Sequence, residues 1–168
     1  MASPPRAFYP GIPTHITARG VDEATIFPLD FDRYAMLSLL RKVTKDVGWE
    51  VLCWCLMTTH YHLLVVAPEE TSRVSWGLQK LHSIYAREYN SRHGRRGHVF
   101  GERFGDTCVD TNAHGRNSVA YILDNPVRAG LVGRHDQWNW SGLASLRPRD
   151  ELDTPATLNR HIPVRRAG

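Results

Sequence analysis

His60 and His62 stand two residues apart at the start of an apolar, β-branched run, His60-Tyr61-His62-Leu63-Leu64-Val65-Val66. A strand sends residues i and i+2 to the same face, so both imidazoles project from one side of a sheet. Two imidazoles held side by side on a rigid strand make half of a divalent-metal site. Either histidine alone reads more readily as a solvated or hydrogen-bonded residue near a strand end, and the same-face pair brings the two readings level. Tyr121 and Asn125, four apart in a helical pattern, share a helix face. Taken separately, Tyr121 reads as a half-buried core tyrosine and Asn125 as a polar cap before Pro126. The stretch Tyr85–Arg103 sets Arg87, Arg92, Arg95, Arg96 and Arg103 among Tyr85, Tyr89 and Phe100. Grooves for single-stranded nucleic acid combine phosphate-neutralising cations with rings that stack bases. A solvated helix face whose tyrosines belong to the core is the competing reading.

These residues need elements to position them. Thr14–Ala18 alternates and is rich in β-branched residues, which predicts a first strand closed by Arg19-Gly20. Asp30 is a plausible N-cap for a helix running to Val47, with Phe31, Tyr34, Leu37, Leu40, Val43 and Val47 as its apolar stripe and Gly48 as its stop. Trp49–Leu56 predicts a second strand. Met57-Thr58-Thr59 turns it into the histidine strand, His60–Ala67, which Pro68 ends. A second helix starts near Thr71 or Ser72, carries Val74, Leu78, Leu81, Tyr85 and Tyr89 on one stripe, and stops around His93-Gly94. Another strand is expected over Asp106–Asp110. Asn112 can cap a third helix over roughly Ala113–Asp124, which Pro126 should end near Asn125. The order strand, helix, strand, strand, helix, strand is that of the ferredoxin-like split β-α-β fold, an α+β architecture. It has one antiparallel sheet and two helices on one face, leaving the other face for the additional helix that carries Tyr121.

Length and composition bound the rest. A chain of 168 residues suits one compact domain. We expect an irregular lead-in over 1–13, the domain proper over 14–146, and a basic, flexible tail over 147–168. No apolar run approaches the ~20 residues that span a bilayer, and the first residues lack the apolar core of a secretory signal. A cytoplasmic, nucleoid-associated protein is expected. Cys53 and Cys55 share a strand face, but without a second pair at metal spacing they read as reduced core thiols. Lys and Arg number 21 against 17 Asp and Glu, a modest net charge of +4 that tilts towards nucleic acid.

Five stretches, in this order, resemble the single-tyrosine HUH transposases, and more narrowly the REP-associated tyrosine transposases. They are His15-Ile16-Thr17-Ala18-Arg19-Gly20, Leu56-Met57-Thr58-Thr59-His60-Tyr61-His62-Leu63-Leu64, Gly97–Phe104, Tyr121–Val132 and Trp138-Asn139-Trp140-Ser141. The string Asn125-Pro126-Val127-Arg128-Ala129-Gly130-Leu131-Val132 is the most specific. The chain departs from the usual pattern at Thr58-Thr59, Val21, Phe100 and Gly105-Asp106.

The resemblance implies Tyr121 as the nucleophile and His60, His62 and Asn125 as ligands of Mg²⁺ or Mn²⁺. It also implies single-stranded DNA or a REP-like hairpin as the partner, and action as a monomer, with a homodimer as the alternative. Arg19, Arg87, Arg92, Arg95, Arg96, Arg103 and Arg128 are the expected DNA contacts. Two other classes stay open at this level. One is a non-catalytic single-strand nucleic-acid binder on the same sheet, and the other is a metal-dependent hydrolase that uses water in place of Tyr121.

Overall fold

The computed structural model describes residues 8–101, 104–146 and 148. Five strands and three α-helices follow in the order β1 (Pro13–Arg19), α1 (Asp30–Val47), β2 (Glu50–Leu56), β3 (His60–Val66), α2 (Ser72–His93), β4 (Gly105–Cys108), α3 (Asn112–Arg128) and β5 (Ser141–Leu143). The sheet is antiparallel in the order β4-β1-β3-β2-β5. Its first four strands have the expected split β-α-β arrangement. β5, which periodicity alone does not reveal because it is only three residues long, adds to the edge of β2.

Alternation along the strands divides the molecule. Ile16, Ala18, Val51, Trp54, Leu56, Tyr61, Leu63 and Val65 point to one face, where they are buried against Leu37, Leu40, Val43 and Val47 of α1 and Val74, Leu78, Leu81 and Tyr85 of α2. Cys53, Cys55 and Leu64 point to the other, where they form a smaller cluster with Met57, Val109 and Ile122 of α3. A bulge between Val51 and Cys53 shifts the β2 register, so Leu52 and Cys53 both pack on the α3 side. The two thiols expected in the core are fully buried there.

The helix ends follow ordinary capping chemistry, with corrections. α1 begins at Asp30 itself, so Leu29 is its N-cap, and the Leu29 amide donates to the Asp32 carboxylate at 3.2 Å. Phe31 and Tyr34 are exposed and leave the predicted stripe; Met36 is buried with Leu37 and Leu40. Gly48 and Gly94 adopt left-handed conformations after α1 and α2, as a chain leaving a helix requires. Thr111, not Asn112, caps α3, its hydroxyl accepting from the His114 amide at 3.0 Å.

α3 also runs through Pro126 to Arg128 instead of stopping at Asn125. The proline removes one backbone donor. The Asn125 amide group supplies another to the same turn, donating to the Tyr121 carbonyl at 3.0 Å, and the ladder resumes with Ala129 donating to Asn125 at 2.9 Å. Pro126 is buried, so tertiary packing overrides its local preference.

The segment after α3 returns to the sheet and brings β5 with it. Leu56 donates to the Trp140 carbonyl at 2.8 Å, and the Trp138 indole donates to the Leu56 carbonyl at 3.2 Å. The Arg33 guanidinium lies 5.5–5.9 Å from the rings of Phe27, Trp138 and Trp140, so a buried cation on α1 holds this segment through its aromatic faces. Most of the tail expected over 147–168 lies outside the described residues.

Candidate active site

β1 and β3 pair so that Thr17 lies opposite His62 and Arg19 opposite His60. Cross-strand partners share a face, so β1 lays His15, Thr17 and Arg19 beside the two imidazoles. The His60 and His62 rings are 5.0 Å apart and nearly perpendicular. His62 is buried, with only 4% of its surface exposed. Its Nδ1 is 3.0 Å from His15 Nε2 and 3.3 Å from the Thr17 hydroxyl. Nδ1 of His60 is 3.1 Å from the Thr59 hydroxyl. The turn that presents His60 is held by Met57, whose amide donates to the His60 carbonyl at 2.9 Å, and by Gly20, which donates to the Thr59 carbonyl at 2.8 Å.

α3 crosses directly above these groups. Fully buried Ile122 anchors it to the smaller cluster, which places the neighbouring Tyr121 over the imidazoles. The Tyr121 ring meets His62 edge-on at 5.8 Å and His15 at 6.0 Å, yet 43% of the residue stays exposed. The Arg128 guanidinium lies 5.1 Å over the same ring. With its nitrogen committed to the Tyr121 carbonyl, the Asn125 side chain turns its oxygen towards the histidines. Its effect there is to favour the protonated form of both, as an acceptor does.

That effect is outweighed. Burial, then the charge of Arg19, lowers the His60 pKa, against the opposing influence of Asn125 and Glu23. Burial also pushes His62 down to about 3, helped by His15, His60 and Arg19. His15 is lowered by burial and by His114. Three neutral imidazoles therefore sit together near neutral pH, with lone pairs available to a cation. His62 Nε2 is buried without a hydrogen-bond partner, an arrangement that folded proteins avoid unless the atom has another use. Among the described residues no group of three His, Cys, Asp or Glu has metal-binding geometry. A cation held here would have two imidazole nitrogens and the Asn125 oxygen as its protein donors, and these residues fit one.

The predicted arginines divide. Arg19, paired with Glu23 at 3.5 Å, and Arg128 border the site. Arg87 and Arg92 lie on α2, whose apolar stripe covers the opposite face of the sheet. Arg92 is committed to buried Asp32 at 3.0 Å and stacks over Phe31 at 5.3 Å. Arg95 lies over the Tyr89 ring at 5.6 Å, and Arg96 is exposed in the same loop. Arg103 is outside the described residues. His15 and Thr17 are the site residues that sequence reasoning passed over. The signal was present: period-2 alternation puts both on the face of Arg19, and the fold order makes β1 the neighbour of β3.

A family model of IS200-like transposases matches residues 10–125. The chain is similar in structure to a REP-associated tyrosine transposase bound to a REP hairpin, with a TM-score of 0.66 and 23% identity over 84% of this chain and 82% of that one. It is also similar to a candidate transposase from Deinococcus radiodurans R1, with a TM-score of 0.50 and 15% identity over 74% of this chain and 97% of that one. At these identities the likeness establishes the fold. No curated protein matches the chain. No helix among the described residues is long and apolar enough to cross a membrane. With a match that spans both the histidine strand and the tyrosine helix, the chain belongs to the IS200-like transposase family.

Proposed function

We propose that this chain is a single-tyrosine transposase of the REP-associated kind, which cuts and rejoins single-stranded DNA beside a REP-like hairpin through a covalent bond to Tyr121. The observation that carries this reading is the meeting of Tyr121 and Asn125, from one turn of α3, with His60 and His62 of β3 within one chain. Assembly of the whole site from one chain supports action as a monomer. The similar transposase bound to a REP hairpin supports the choice of partner.

Tyr121 attacks phosphorus, so that its Oη–P bond forms as the P–O3′ bond breaks. The phenol gives up a proton and the departing 3′ oxygen takes one, leaving a 3′-hydroxyl and a 5′-phosphotyrosine. The partly exposed ring lets a strand approach it, and Arg128 brings positive charge where the phenol loses its proton. His60, His62 and Asn125 would hold Mg²⁺ or Mn²⁺, which when bound supplies Lewis-acid polarisation of the scissile phosphate. Arg19, at the edge of the imidazole pair, meets the neighbouring phosphate charge. Because the phosphotyrosine conserves the bond energy, a second 3′-hydroxyl can reverse the step and join strands without a nucleotide cofactor.

The test is to incubate the protein with labelled single-stranded hairpin DNA and Mn²⁺ and resolve the products on a denaturing gel. A protein–DNA adduct that disappears in Tyr121→Phe is expected. Cleavage that persists in Tyr121→Phe with no trapped adduct would assign the nucleophile to water. Binding without cleavage in the wild type would leave only a single-strand binding domain.

A further inference from the structure

We propose that His15 is a positioning residue that fixes His62 in the tautomer with its proton on Nδ1, so that Nε2 is reserved for a divalent cation. This inference rests on the metal-site reading given above. Nδ1 of each histidine of the pair already has a neighbour, His15 and Thr17 for His62 and the Thr59 hydroxyl for His60. Nε2 of His62 is buried with none.

Only one proton can occupy the line between His15 Nε2 and His62 Nδ1. If it belongs to His62, Nδ1 donates to His15 and the Nε2 lone pair faces the site. If it belongs to His15, neutral His62 carries its own proton on Nε2. That N–H would then be buried with no hydrogen bond completed at its present position, although the Asn125 oxygen is turned towards it, and it would block coordination. A cation on Nε2 therefore requires an acceptor for the Nδ1 proton, and His15 Nε2 at 3.0 Å, nearer than the Thr17 hydroxyl at 3.3 Å, is in place to be that acceptor.

The sheet supplies the alignment. Thr17 is directly opposite His62 and His15 is opposite Leu64, so His15 is the diagonal neighbour of His62, within reach for a ring. The two rings are 5.1 Å apart and tilted by 33°. Ligating histidines commonly donate their second N–H to a carboxylate or a carbonyl, which fixes the ring and its tautomer. An imidazole in that place fixes the ring equally well but adds no negative charge. The cation would then keep its full attraction for a phosphate, which suits a site meant to bind DNA.

Two measurements test this. In ¹⁵N-labelled wild-type protein loaded with Zn²⁺ as a diamagnetic probe, long-range ¹H–¹⁵N correlation should show His62 protonated at Nδ1 and ligating through Nε2. Ligation through Nδ1, or a proton on Nε2, overturns the proposal without any variant. In calorimetric titration with Mn²⁺ in the absence of DNA, His15→Leu should bind about 10–100-fold more weakly. His15→Gln, which places an acceptor oxygen at similar reach, should stay within about 3-fold of wild type. Wild-type affinity in His15→Leu, or no rescue by His15→Gln, removes the role assigned to His15 and leaves the metal site standing. If His62→Ala and wild type bind Mn²⁺ equally weakly, the metal-site reading fails and this proposal falls with it.

Discussion

His82 gives a test of the fold that is independent of DNA and metal, because it lies across the sheet from the site. Its Nε2 meets the Tyr61 hydroxyl at 2.6 Å and its ring stacks on Phe100 at 4.0 Å. Burial pushes its pKa down to about 4 from 6.5. The folded pKa is below the unfolded one, so the neutral residue contributes stability above pH 6.5 that is lost as pH falls towards 4. Between pH 7 and pH 5 the unfolded chain gains about 0.7 of a proton at this position and the folded chain about 0.1. Linkage then gives a loss of about 2 kcal/mol from this residue alone. Urea unfolding followed by tryptophan fluorescence at the two pH values measures it. His82→Gln keeps a hydrogen-bonding group for Tyr61 but cannot titrate, so it should lose about 2 kcal/mol less than wild type over the same interval. His62, pushed down to about 3, contributes a parallel loss in both proteins, and the comparison cancels it. Equal losses in the two proteins would refute the assignment of a buried neutral His82.

Other perturbations separate site from scaffold. Arg19→Ala should weaken binding to single-stranded DNA and reduce the salt slope of that binding by about 1, whereas Arg92→Ala should leave both nearly unchanged. Arg92→Ala should instead lower unfolding free energy by about 1–3 kcal/mol, because buried Asp32 loses a charged partner while keeping His93 at 2.9 Å. Gly20→Ala would place a Cβ 2.2 Å from the Ala24 carbonyl and 2.8 Å from Ile26, so a destabilisation of about 1–3 kcal/mol is expected in thermal or urea unfolding. His60→Ala should abolish cleavage of hairpin DNA while gel-shift affinity stays close to wild type; loss of both together would mean that His60 also builds the binding surface.

Strong local signals carried most of the fold. The α2 stripe of Val74, Leu78, Leu81, Tyr85 and Tyr89 is buried as its spacing requires, and Gly48 and Gly94 stop their helices. Apart from the one-residue shifts of the α1 and α3 caps, the errors share one physical origin, which is tertiary contact prevailing over local preference. Pro126 is read locally as a stop, but burial and the Asn125 side chain carry the helix past it. Phe31 and Tyr34 have the right spacing for the core, but they lie near the start of α1, and the residues that reach the sheet come later. β5 exists because Arg33 and β2 provide a place for it to dock, not because three residues encode a strand. At the site, the face shared by His60 and His62 is a property of the strand and could be read directly. His15 could not be read that way, since its role depends on which strand pairs with which and in what register.

The alternation of β3 links chemistry to folding in a further way. Tyr61, Leu63 and Val65 fill the main core from the same seven residues that present His60 and His62 on the reverse side. A one-residue slip of this strand would not merely misplace the imidazoles; it would drive them into the apolar interior and move three core side chains to the face that α3 and the histidines occupy. A buried apolar side chain is worth roughly 1.5–3 kcal/mol, so partial loss of burial for three of them, with two imidazoles desolvated in their place, takes up a large part of the stability of a typical domain. The core thus acts as a proofreader for the histidine face: a chain that folds with this core has its imidazoles aligned, and drift in their register is screened out as misfolding.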